Sequence, residues 1–413
     1  MPESGTISLL KNTLTLILAG GQGERLHPLT RDRAKPAVPF GGLYRIIDFT
    51  LSNCLNSNLR RIYVLTQYKS SSLDLHLRLG WSILSNELEE YIYTIPPQQR
   101  LADLWYRGTS DAIFQNIYTL EQERPDRVLI LSGDHVYKMD YSGMLLSHAE
   151  TGADLTVACV EVPLERANQL GVMEVDADGR IVGFEEKPEH PRPVPGDPHH
   201  ALASMGVYVF NTDVLVRTVS EDARRESAHD FGRNIIPDLV ERGRVFAYNF
   251  KHGNRNSAVY WRDIGLLDTY WEANMDLVSD TPEFGLYDTD WPIRTYQEPY
   301  PPTRIELGGG MSDRPATANA VISGGCVVTD AQVDRCVLSY GARVESGARV
   351  SESILMEGVV VGSGATVHRA IIDKDVTIPS GCRIGLDHER DQRLFTLTPN
   401  GVVVVPKGLP VEP

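Results

Sequence analysis

Two hydrophobic patterns divide the chain. From Leu14 to about Val278, short and nearly continuous apolar runs alternate with stretches whose apolar residues recur at helical spacing. Leu14 to Leu18, Ile62 to Thr66, Val128 to Leu131, Leu155 to Val160 and Gly206 to Phe210 read as strands. Ser110 to Arg124, with Ile113, Ile117 and Leu120 on one face, reads as a helix, as does Leu266 to Leu277. Strands that are apolar throughout have both faces buried. They predict a mostly parallel α/β sheet with helices on both sides, whose ligands bind beyond the carboxyl ends of the strands.

The second pattern begins after Pro282 to Pro302, a stretch with five prolines that reads as a linker. Val327, Val344, Val361 and Ile378 are spaced by 17, as are Val333, Val350, Val367 and Ile384. Val337-Leu338, Ile354-Leu355 and Ile371-Ile372 keep the same interval, as do Gly347, Gly364 and Gly381. This period predicts a parallel β-helix, with branched residues stacked inside and glycines at corners needing unusual φ. The chain thus divides into residues 1–281, a linker 282–302 and a repeat region 303–413. Glu189 to Pro198 is a proline-rich surface loop.

Composition narrows the functions open to this fold. A net charge of −15 argues against general binding to nucleic acid or to anionic membranes, though not against a phosphorylated substrate at a local basic site. Cys54, Cys159, Cys326, Cys336 and Cys382 form no C-x-x-C and suit small buried positions in a reducing compartment. No signal-peptide pattern or membrane-spanning run is visible, so the cytoplasm is expected.

The first predicted strand breaks into Ala19-Gly20-Gly21-Gln22-Gly23-Glu24-Arg25. Glycines let backbone N–H groups approach a phosphate, and Arg25 adds fixed charge beside them. A plain strand-to-helix turn would look the same, since the spacing is neither G-x-G-x-x-G nor a Walker loop. Asp134, in LILSGDHVYKMD, ends a buried strand, where a carboxylate facing phosphates suits Mg²⁺ or caps a following helix. Asp263, in VYWRDIG, is open to the same two readings. In GFEEKP, Lys187 offers a point charge to a phosphate and Glu186 an acceptor to sugar hydroxyls; a solvated turn is the alternative. Tyr106-Arg107-Gly108-Thr109-Ser110 suits polar ligand groups or simple helix capping. Lys35-Pro36-Ala37-Val38, with Arg25, Arg31, Arg33 and Arg45, makes the most basic region of an acidic chain. It is either a solvated surface or a phosphate site. The sequence holds no G-x-S-x-G, H-E-x-x-H or Cys/His zinc spacing.

Taken in order, the motifs are Leu18-Ala19-Gly20-Gly21-x-Gly-x-Arg25-Leu26, Lys35-Pro36-Ala37-Val38, Ser52-Asn53-Cys54-Leu55-Asn56-Ser57 and Thr66-Gln67-Tyr68. Trp105-Tyr106-Arg107-Gly108-Thr109, Gly133-Asp134-His135-x-Tyr137, Glu186-Lys187-Pro188, Ser204-Met205-Gly206 and Tyr260-Trp261-Arg262-Asp263 follow. With the repeats, this series resembles the bacterial ADP-glucose pyrophosphorylase (glucose-1-phosphate adenylyltransferase) family over nearly the whole chain. The resemblance implies a Rossmann-like nucleotidyltransferase domain over 1–281 and a left-handed β-helix over 303–413 that serves oligomerisation and regulation. It implies Mg²⁺-dependent conversion of ATP and α-D-glucose 1-phosphate to ADP-glucose and pyrophosphate, the glucosyl-donor step of glycogen synthesis. By the same match, Gly20, Gly21 and Arg25 hold the triphosphate, with Gln67, Gly108 and Thr109 near the nucleotide. Asp134 and Asp263 bind the metal, and Tyr106, Gly171, Glu186, Lys187 and Ser204 form the glucose 1-phosphate site. Arg25, Lys35 and Lys187 join the metal in stabilising phosphate charge. Arg33, Arg45 and, more loosely, Arg369 match positions near an inhibitory AMP site. A homotetramer with sugar-phosphate or AMP effectors is implied.

Two residues depart from that family's pattern. Asp32 falls where enterobacterial members carry a lysine associated with fructose 1,6-bisphosphate activation, and a carboxylate there repels a bisphosphate. Leu266 stands where Thr is usual. Three rivals are a pyrophosphorylase of the same fold using UTP, dTTP or GTP, a hexapeptide-repeat acyltransferase relying on His368, and a non-catalytic regulatory subunit. Retention of Arg25, Asp134, Lys187 and Asp263 argues against the last.

Overall fold

The computed structural model describes residues 3–97, 105–194, 196–253, 259–306 and 317–412. Pro195 of the predicted loop and residues 307–316 of the predicted repeat region lie outside the described residues. Strands β1 (Thr13–Ala19), β2 (Arg61–Thr66), β3 (Tyr91–Ile95) and β4 (Arg127–Ser132) pair in parallel in the order β4-β1-β2-β3. Their apolar residues face both ways into core: Leu14, Ile17, Leu129 and Ile130 are wholly buried. A short β5 (His135–Tyr137) follows β4. Strands β6 (Leu155–Pro163), β7 (Gly171–Val175), β8 (Ile181–Glu186), β9 (His200–Asn211) and β10 (Val245–Asn249) complete a nine-stranded sheet. Here the sheet becomes mixed, because the long β9 runs antiparallel to β4, β6 and β7. A separate ribbon pairs β11 (Trp261–Asp263) with β5 and sets Asp263 opposite His135.

The predicted helix Ser110 to Arg124 is in fact two, Thr109–Phe114 and Ile117–Glu123. Asn116 causes the break. Its amide donates to the Ala112 carbonyl at 2.7 Å and to the Tyr106 hydroxyl at 3.0 Å, competing with the backbone ladder. The helix expected at Leu266 to Leu277 spans Leu267–Asp276.

No strand or helix interrupts the chain between Asp276 and Arg304, yet this stretch is fastened down. Thr295 donates to Asp48 at 2.7 Å, the Arg294 N–H to Ser52 at 2.8 Å and the Trp291 indole to Asn53 at 2.9 Å. Asn53 also donates to the Tyr137 carbonyl at 3.0 Å, so the Ser52-Asn53 motif is a buried bracket behind β5.

Beyond it, short strands among the described residues stack into three sheets of five, five and six, one along each face of the β-helix, all parallel except Thr396–Leu397, which runs antiparallel to Val403–Val405. Val333, Val350, Val367 and Ile384 lie in register, as the period predicts. Gly347, Gly364 and Gly381 turn corners at φ of 72°, 68° and 72°. One expected position is wrong: Val328, not Val327, stacks on Val344, because that coil is one residue shorter. Val337, Ile354 and Ile371 share a core with Phe49, Tyr270 and Trp271, so the β-helix packs directly on the α/β region. All five cysteines are buried and free. No described helix is long and apolar enough to cross a membrane.

Candidate active site

The carboxyl ends of β1, β2 and β4 open into a cavity of about 760 Å³. Gly20, Gly21, Arg25, Lys35, Gln67, Tyr106, Gly108, Thr109 and Asp134 all line it. Its floor is the glycine loop, which ends in a single helical turn at Glu24–Leu26. Gly23 has φ 65°, and a Cβ there would stand 2.9 Å from Thr30 Cγ2 and 3.0 Å from Lys35 Cβ. Thr30 donates to the Gly23 carbonyl at 2.8 Å. The loop is therefore shaped by the segment that follows it.

Lys35 brings the charged residues together. Its ammonium is 2.7 Å from Asp134 and 3.4 Å from Asp263, while His135 Nε2 lies 3.6 and 3.8 Å from the same carboxylates. Asp134 caps no helix, since β5 follows it directly; Ser132 donates to its other oxygen. Burial works to raise the Asp134 pKa, but the charges of Lys35 and His135 outweigh it and hold the carboxyl well below the usual range. Burial works to lower the Lys35 pKa, and Asp134 and Asp263 more than offset it, so the ammonium is held charged. Arg25 stands beside this cluster: a Cβ on Gly265 would meet its guanidinium at 3.2 Å and Asp263 at 3.1 Å. Two convergent carboxylates fit a hard divalent cation that completes its shell with phosphate oxygens and water.

Thr109 links this end to a second. Its hydroxyl donates to Asp230 at 3.1 Å and accepts from the Phe231 N–H at 3.0 Å. Asp230 lines the cavity, and its charge, after burial, helps raise the pKa of Glu186. Gly171 lies opposite Glu186 in the β7–β8 ladder. A Cβ at Gly171 or Gly232 would come within 2.8 or 2.4 Å of Glu186 Oε2, so both glycines make room for that carboxylate. Lys187 takes φ 54°, and its ammonium is 3.8 Å from Glu186. Ser204 sits where β9 shifts register, and accepts from the Gly206 N–H at 3.3 Å. Tyr106 lines the cavity, its carbonyl accepting from Gln67 at 3.5 Å.

Sequence reading missed Asp230 and the support behind it. Asp222 accepts from Ser110 at 2.8 Å and from Ser227 at 2.7 Å, and lies 2.9 Å from His229 Nδ1. These contacts fix the turn before Asp230, and Gly108 is packed hard against it. The only signal was the polar run Ser227-Ala228-His229-Asp230 ahead of Phe231, too short to point to a site.

The three arginines matched to an effector site occupy different surroundings. Arg33 is buried in an ion pair with Asp373, one guanidinium nitrogen donating to both carboxylate oxygens at 2.8 and 3.0 Å. Arg369 lies 4.2 Å over Trp271 and 3.5 Å from Glu352. Arg45 donates to the Ser72 and Ala37 carbonyls at 3.2 and 3.4 Å. Asp32 is exposed and paired with Arg31 at 3.0 Å, and the Leu266 side chain is exposed. His368 Nδ1 is engaged with Ser351 at 2.9 Å.

Residues 14–280 match the family model described as Nucleotidyl transferase, and residues 301–405 match one described as GlmU-like, C-terminal hexapeptide. A nucleotidyl transferase carrying hexapeptide repeats is thus the class. Glucose-1-phosphate adenylyltransferase 2 of Alkalilimnicola ehrlichii is 50% identical over 96% of this chain and 94% of its own length. The glucose-1-phosphate adenylyltransferases of Rhodopirellula baltica and Shewanella oneidensis are each 50% identical, over 97% and 98% of this chain and 91% and 97% of theirs. This chain belongs to the glucose-1-phosphate adenylyltransferase family.

Proposed function

We propose that this chain transfers the adenylyl group of ATP to α-D-glucose 1-phosphate, forming ADP-glucose and releasing pyrophosphate. The observation that carries the reading is the cavity that gathers the glycine loop, the Lys35–Asp134 pair and Asp230, with Glu186 close enough to feel the Asp230 charge.

The attacking phosphate oxygen is already an anion, so the reaction needs no general base. Its obstacle is bringing two polyanions together and stabilising charge on the transferring and leaving phosphates. Gly20, Gly21 and Arg25 bind the triphosphate, and Gln67, Gly108 and Thr109 border the nucleotide. Asp134 and Asp263 hold Mg²⁺, which neutralises phosphate charge when bound. Asp134, kept anionic, accepts no proton. Lys35 orients both carboxylates and keeps a positive charge at the strand ends. Lys187 meets the phosphate of glucose 1-phosphate, while Glu186, Ser204, Gly171 and Tyr106 frame the sugar.

The wider reading is a cytoplasmic homotetramer supplying glucosyl units for glycogen. Its catalytic unit is 1–281, its linker 282–302, and its β-helix, 303–413, serves assembly and control by sugar-phosphate or AMP effectors near Arg33, Arg45 and Arg369. Asp32 disfavours fructose 1,6-bisphosphate as the activator. The test is the initial rate of pyrophosphate release with glucose 1-phosphate, Mg²⁺ and each of ATP, UTP, dTTP and GTP. ATP should be used best; a preference for UTP would overturn the reading.

A further inference from the structure

We infer that Asp373, on the β-helix, is a positioning residue for adenylyl transfer, acting through Arg33 on the segment Thr30–Lys35. The inference rests on the function proposed above.

That segment has two working ends. Thr30 braces the glycine loop at the Gly23 carbonyl, 2.8 Å away. Lys35 braces the two carboxylates, 2.7 and 3.4 Å away, and packs under Gly23. Yet no strand ladder or long helix holds the stretch between Leu26 and Lys35, so side-chain contacts must set its place. The buried ion pair among these belongs to Arg33. Its guanidinium takes both oxygens of Asp373 at 2.8 and 3.0 Å, with the side chains only 7% and 3% exposed.

The Asp373 backbone is itself tied into the β-helix. Its N–H donates to the Val405 carbonyl at 2.9 Å, where the outer coils of one β-helix face pair. One of its oxygens also accepts from the Lys374 N–H at 2.8 Å. Arg31 adds a second tie from the same segment to the β-helix, at the Lys407 carbonyl. One guanidinium nitrogen reaches both carboxylate oxygens and the other lies 3.8 Å from Met356 Sδ, so a buried, charge-assisted pair anchors Arg33 to the β-helix. Arg33 stands two residues before Lys35, so a displacement at Asp373 reaches the metal-side carboxylates and the glycine loop through one short, stiff piece of chain. The β-helix therefore sets the geometry of the transfer step without touching a substrate.

Two full-length variants test this, assayed without effectors beside wild type for kcat, both KM values and Tm. Asp373→Asn keeps the shape and removes the charge. Arg33→Lys keeps the charge but loses the planar guanidinium and its second nitrogen's contact with Met356. Misplacing a reacting group by about 1 Å costs on the order of 10²-fold in rate, so Asp373→Asn should lose about that in kcat. Arg33→Lys should lose roughly 10-fold, with the KM for glucose 1-phosphate unchanged in both because the sugar-phosphate corner is untouched. Wild-type kcat in both variants well below their Tm values would overturn the inference, leaving the pair a simple fastening. If Asp373→Asn does not fold, Arg33→Lys alone decides. An active wild type with unaffected variants removes this inference only; a wild type that makes no ADP-glucose removes the functional reading with it.

Discussion

The two ends of the candidate site are built in opposite ways. At the glycine-loop end the charges are buried and already paired: the Lys35 side chain is 9% exposed and sits between two carboxylates. At the other end Lys187 is 44% exposed, on a left-handed backbone, with Glu186 at 3.8 Å. A preorganised cluster needs no rearrangement when charge develops on a transferring phosphate. An open lysine suits a substrate that brings its own negative charge and must enter and leave. On the proposed reading one end serves the chemistry and the other recognition, and the Thr109–Asp230 contact joins them.

The strongest way to break this contrast is at the paired end. Asp134→Asn should lower turnover by roughly 10³-fold or more with the fold intact by circular dichroism. Near-normal turnover would take Asp134 out of the transfer step. At the open end, Lys187→Ala should raise the KM for glucose 1-phosphate by about 2–4 kcal/mol and leave that for ATP nearly unchanged. Equal effects on the two substrates would merge the ends. Where the two ends join, a Cβ on Gly108 would lie 2.2 Å from the His229 carbonyl, so Gly108→Ala should cost about 1–3 kcal/mol of stability by urea unfolding.

The smallest effect concerns pH. Burial works to raise the Asp222 pKa, but bonds from Ser227, His229 and Ser110 outweigh it and lower it from 3.8. The unfolded state then takes up the proton first on acidification. Asp222 therefore stabilises the fold fully above about pH 4 and loses that contribution as pH falls through its lowered folded value. Asp222→Asn should be about 1 kcal/mol less stable than wild type at neutral pH, with the gap closing below pH 4 in thermal melts. A gap that persists at low pH would assign the loss to packing.

Much of this was legible in the chain because burial leaves a periodic trace. Continuous apolar runs marked β1, β2 and β4, and branched residues every 17 positions marked the β-helix. The glycine loop and Asp134 were visible because each ends such a run, and Lys35 because it lies in the most basic region of an acidic chain. What stayed hidden lacks a period. Choosing Val327 over Val328 was a choice between adjacent valines, and only the ladder shows which one stacks. The break at Asn116 depends on a side-chain bond to Tyr106 that no helical pattern records. Asp230 and Asp373 do their work through partners 121 and 340 residues away, a separation that spacing rules cannot span.

The most direct test of the whole account is product analysis by mass spectrometry after incubation with ATP, glucose 1-phosphate and Mg²⁺. Wild type should form ADP-glucose and pyrophosphate in equal amounts, with the Asp134→Asn chain forming almost none. Pyrophosphate without ADP-glucose, or undiminished ADP-glucose from Asp134→Asn, would contradict it.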